Sequence, residues 1–62
     1  MKKGWLIERR KRKGYSQCQL AKETGLSQQL ISKIENRAYP SVSAAKKIAK
    51  VLEFEWTMFF EE

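Results

Sequence analysis

The sequence predicts an all-α fold, one compact domain of five short helices over residues 1–62. Three observations predict it. Apolar residues recur with the period of a helix, and no stretch alternates as a strand would. The periodic segments are separated by short connections of about two to six residues, punctuated by Gly, Ser or Pro. The chain has 62 residues, 42% of them hydrophobic, which suffices for one small core and leaves no room for a second domain.

The elements follow in order. A first helix runs roughly from Gly4 to Lys13 and stops at Gly14, a residue suited to a helix C-terminus. Ser16 is placed to cap a second helix over Gln17 to Thr24, which Gly25 ends. Ser27 caps a third from Gln28 to Glu35, with Asn36 closing it. Tyr39-Pro40-Ser41 forms a turn, because proline disfavours helix at the residue before it. Ser41 caps a fourth helix in which Val42, Ala45, Ile48, Ala49 and Leu52 recur at the spacing of a buried face. A last short helix covers Trp56 to Phe60.

Charge narrows the function classes. The net charge is +6, and seven of the 13 basic residues lie in the first 13 positions: Lys2, Lys3, Arg9, Arg10, Lys11, Arg12 and Lys13. Four of the seven acids lie in the last ten: Glu53, Glu55, Glu61 and Glu62. A basic surplus laid out this way favours a partner dense in negative charge, with one end suited to phosphates. Lys11, Arg12 and Lys13 serve equally well as a solvated helix end favoured by the helix dipole. The single cysteine, Cys18, excludes an internal disulfide and fits a reducing cytoplasm; it reads as a small helix-compatible residue. Trp5-Leu6-Ile7 is too short for a signal core or a membrane span. There is no histidine, no paired nucleophile and base, no phosphate-cradling glycine loop and no metal-ligand spacing. No enzyme activity, cofactor, metal or small-molecule ligand is therefore expected.

Residues Gln17 to Asn36, QCQLAKETGLSQQLISKIEN, concentrate the remaining information. Two short helices flank a tight turn holding Gly25, which supplies the backbone freedom the turn requires. Ala21 lies where the two helices come close, and Leu20, Leu26, Ile31 and Ile34 lock the pair onto the rest. With about 100° per residue, Gln28, Gln29, Ser32, Lys33 and Asn36 share one face of the third helix, and Leu30, Ile31 and Ile34 share another. Taken alone, such a polar face is equally that of an ordinary solvated helix. Its chemistry nonetheless suits the major groove: Gln bonds adenine N6 and N7, and Lys donates to guanine O6 and N7. Helix N-termini suit phosphates.

These residues resemble the Cro/repressor-type (XRE) helix-turn-helix family, including the repressor and Cro proteins of lambdoid phages. The resemblance extends from Trp5 to Phe60. It implies a five-helix, lambda-repressor-like DNA-binding domain with its helix-turn-helix at residues 17–36. Gln28, Gln29 and Lys33 match base-reading positions. Gln17 and Ser27 match phosphate-bonding residues at two helix N-termini, and Asn36 a backbone contact to phosphate. Ser32 and Arg37 are assigned to phosphates as well. Arg10 and Glu35 match an ion pair tying the first helix to the third. The sequence departs from the phage proteins in its short segment between Asn36 and Pro40, where Arg37 is the only basic residue, and in Lys33, which replaces an amide. Its aromatic end is more like that of small bacterial XRE regulators.

That end, Trp56 to Phe60, is expected to bury Trp56 and Phe59 and to leave Met58 and Phe60 exposed as a homodimer interface. A sequence-specific regulator of double-stranded DNA, a repressor in its simplest form, is the expected function. An antitoxin or anti-repressor acting on a protein partner is the rival, and salt dependence separates the two, because only phosphate contacts weaken steeply with salt.

Overall fold

A computed structural model describes residues 3–61. It contains four α-helices, α1 (Gly4–Arg12), α2 (Gln17–Thr24), α3 (Gln28–Asn36) and α4 (Val42–Leu52), followed by a 3₁₀ helix over Trp56–Phe60. No strand occurs among the described residues. Lys2 and Glu62, counted with the charged ends of the sequence, lie outside them.

Serines open three of the helices. Ser27 Oγ accepts from the Leu30 amide at 3.0 Å, and Ser41 Oγ from that of Ala44 at 3.1 Å. At α2 the arrangement is reciprocal: Ser16 Oγ accepts from the Gln19 amide, and Gln19 Oε1 accepts from the Ser16 amide. Each cap satisfies an amide that the first turn leaves without an internal partner.

The C-termini of α1, α2 and α4 are closed by left-handed residues. Gly14 (φ +78°) follows α1 and Gly25 (φ +75°) follows α2. Beyond Gly14, the Tyr15 amide donates to Arg10 O at 3.1 Å; beyond Gly25, that of Leu26 donates to Ala21 O at 3.0 Å. At the end of α4 the same role falls to Glu53 (φ +62°), with Phe54 N donating to Ala49 O. A side chain is strained in this conformation. The Glu53 carboxylate lies 2.8 Å from Lys13 Nζ, and that hydrogen bond, with the lysine's charge, holds its pKa below the ordinary value. This exposed contact is present at neutral pH and fades as pH falls through the lowered pKa.

Leu6, Leu20, Ile31, Ile34 and Ile48 are fully buried and form one core with Ala21, Ala45, Leu52 and Phe59. α2 packs on both α3 and α4, and the 3₁₀ helix packs on α4. Leu26 and Leu30 sit at the edge of the core, half-buried.

Two expectations need correction. Val42 is 49% exposed, and the buried face of α4 consists of Ala44, Ala45, Ile48, Ala49 and Leu52. Val42 opens the helix and stands about 120° from Ile48, at the rim of the buried arc, whereas Ala44 lies only about 40° away. At the aromatic end, Phe59 is buried and Phe60 is 43% exposed, but Trp56 and Met58 are both half-buried. Five residues are too few for a cooperative α-helix, so the segment closes as a 3₁₀ helix whose tighter winding turns the side chains differently.

A Cβ added at Gly25 would meet no atom within 4 Å, so any penalty there comes from the backbone alone. Gly25→Ala is expected to lower stability by about 1 kcal/mol in urea unfolding. Glu53→Gly, which removes the strained side chain at the equivalent point of α4, is expected to raise the melting temperature.

Candidate nucleic-acid interface

α3 carries two unlike faces. Ile31, Ile34 and Glu35 are buried, while Gln28, Gln29, Lys33 and Asn36 are exposed and Ser32 is half-buried. The exposed side chains are two amides and an ammonium near the start and middle of the helix, with Asn36 and Arg37 at its end. Asn36 Nδ2 folds back to donate to Ser32 O at 2.9 Å. Ser27 Oγ is occupied in capping. The first-turn amides of α2 and α3 point out of their helix ends, as an anion site requires.

Glu35, only 2% exposed, is the reason α3 holds this orientation. Its carboxylate accepts from Arg10 Nε at 2.6 Å and Nη2 at 3.4 Å, and from Gln17 Nε2 at 2.9 Å. Arg10 Nη1 also donates to Tyr15 O at 2.9 Å. One carboxylate therefore joins α1, the start of α2 and the last turn of α3. Gln17 spends one Nε2 hydrogen on this network, which leaves the second to donate elsewhere.

Much of the basic run in α1 is engaged within the fold. The Arg9 guanidinium stands 5.4 Å from the Phe54 ring centre. Arg12 pairs with Glu8 at 3.4 Å and Lys13 with Glu53. Lys3 donates from its amide to Glu35 O at 2.8 Å and from Nζ to Ile34 O and Ala38 O at 3.0 and 2.8 Å. Burial pushes the Lys3 ammonium below the ordinary lysine pKa. The sequence placed Lys3 simply among the N-terminal cations, and the one local hint of another role was the end of α3, where Arg37-Ala38 lacks a closing glycine.

Comparison with known proteins identifies this architecture. A family model described as Helix-turn-helix matches residues 6–59. The chain is 40% identical over 63 aligned positions to YqaF, an uncharacterized HTH-type transcriptional regulator of Bacillus subtilis, covering 100% of this chain and 83% of YqaF. It is 50% identical over 54 residues to the B. subtilis HTH-type transcriptional regulator SlrR, covering 84% of this chain but only 36% of SlrR. The solved N-terminal DNA-binding domain of SinR from B. subtilis superposes with a TM-score of 0.82 at 30% identity, over 94% of this chain and 87% of that one. The chain belongs to the helix-turn-helix family of DNA-binding transcriptional regulators.

Arg10→Ala leaves the Glu35 carboxylate buried without its cation. Thermal and urea unfolding are expected to show a loss of about 3 kcal/mol, and an unchanged melting temperature would remove the pair from its structural role.

Proposed function

We propose that this regulator recognises a specific duplex sequence by laying α3 in the major groove, as a cytoplasmic homodimer that represses by occupying its operator. Gln28, Gln29 and Lys33 read base edges. Gln17, Ser27, Ser32, Asn36 and Arg37 hold the helix against phosphates, which set its register without carrying sequence information. The observation that carries the reading is the exposed amide and ammonium face of α3, opposite a face that Ile31, Ile34 and Glu35 lock into the core. The DNA-binding domain of SinR, to which the fold is similar, supports it. No helix among the described residues is long and apolar enough to cross a membrane.

Dimerisation is the natural use of the apolar surface at the aromatic end. Phe60 stacks on Tyr39 with ring centres 5.9 Å apart, and both rings are exposed; Met58 is half-buried in the same segment. Two copies bound to half-sites one helical turn apart, about 34 Å, multiply a weak single contact.

Two outcomes test the proposal. Gln28→Ala or Gln29→Ala is expected to cost about 1–3 kcal/mol on the specific duplex and little on unrelated DNA; equal losses on both would remove these residues from base reading. Phe60→Glu is expected to shift the sedimentation equilibrium toward monomer, and an unchanged mass distribution would place the dimer contact elsewhere.

A further inference from the structure

α3 ends unlike its neighbours. Its last carbonyls have no partner within the helix, and the residue after it, Arg37, has φ −151° in place of the left-handed turn that closes α1, α2 and α4. Lys33 O is taken by the amides of Arg37 and Ala38, both at 2.9 Å. The next two carbonyls along the helix belong to Lys3, with Nζ on Ile34 O and the backbone amide on Glu35 O. Nζ also reaches past Arg37 to Ala38 O and stands 5.2 Å from the centre of the Tyr39 ring. Lys3 is itself anchored, because its own carbonyl accepts from the Leu6 and Ile7 amides at the start of α1. One side chain thus brackets Arg37, gripping the main chain before and after it, across 31 to 35 positions of sequence.

We propose that Lys3 is a positioning residue for DNA binding: by clamping the carbonyls of Ile34, Glu35 and Ala38 it fixes the direction in which Arg37 leaves α3 and so aims that guanidinium at a backbone phosphate. The proposal rests on the reading of α3 as the groove helix. Two of the three ammonium hydrogens are committed to carbonyls and the charge faces an aromatic ring, so the Lys3 head is engaged within the protein. The segment from Arg37 to Tyr39 has no glycine or capping side chain of its own. Without the clamp only the Arg37 and Ala38 amides, both on Lys33 O, would tie it to α3, and the ordering left for the moment of binding would be subtracted from the affinity.

A double-mutant cycle on a duplex selected from a random pool tests this, with the wild-type chain, Lys3→Met, Arg37→Ala and the double variant each verified as folded by circular dichroism. Lys3→Met is expected to weaken binding about tenfold in the wild-type background and less than about twofold once Arg37 is alanine. Lys3→Arg, which keeps charge and donors, is expected to restore most of the affinity. Equal factors in both backgrounds, or wild-type affinity in Lys3→Met, would overturn the positioning role while leaving the groove reading intact. Failure of the folded wild-type chain to bind any duplex would overturn both. Should Lys3→Met not fold, Lys3→Gln takes its place in the cycle and is read by the same criteria.

Discussion

A carboxylate buried at the end of one helix governs the arrangement of the other helices around it. Glu35 lies inside the last turn of α3, where burying a carboxylate is costly unless it is paired and hydrogen-bonded. Arg10 supplies two donors from α1, and Gln17 adds one from the first residue of α2. The remaining Arg10 nitrogen is satisfied by the carbonyl of Tyr15, and among the described residues no buried side-chain nitrogen or oxygen lacks a partner. Such a pair adds little net stability compared with an apolar substitute of the same shape. Its value lies in geometry, because the fork of a guanidinium accepts a carboxylate in few orientations. α3 is thereby fixed against α1 and α2 in rotation as well as in distance.

That rotation decides which residues face solvent. With Glu35, Ile31 and Ile34 held inward, the amides of Gln28 and Gln29 and the ammonium of Lys33 face out. Ser27 opens the helix, Lys3 grips its end, and the left-handed Gly25 sets its angle to α2. The charge distribution acquires a division of labour from the same packing. Arg9, Arg10, Arg12, Lys13 and Lys3 are spent on rings, carboxylates and carbonyls. The net charge of +6 still favours a partner dense in negative charge at long range, while the proposed local contacts are left to Lys33, Arg37 and the helix N-termini.

What was legible in the sequence was local. Ser16, Ser27 and Ser41 mark helix starts because a capping hydroxyl acts within three residues, and Gly14 and Gly25 mark stops because their backbone angle is a property of the residue itself. The two faces of α3 were legible for the same reason, since the period of a helix needs no tertiary information. Glu35 could be placed beside the core only through the family resemblance that pairs it with Arg10. The grip of Lys3 on Ile34, Glu35 and Ala38 joins residues more than thirty positions apart, and no spacing rule connects them. The left-handed Glu53 carried no signal, as glutamate there is chosen against its own preference. Val42 fitted the apolar period and still lies outside, because periodicity locates a face but not how far along the helix its neighbour extends.

In the proposed function, the buried Arg10–Glu35 pair aims the polar face of α3 at base edges. Selection of bound duplexes from a random-sequence pool, repeated with Gln28→Ala, tests it most directly. A short enriched half-site is expected, repeated with two-fold symmetry about one helical turn apart, with preference lost at one defined position when Gln28 is replaced. An unenriched pool, or an identical consensus from the variant, would contradict it.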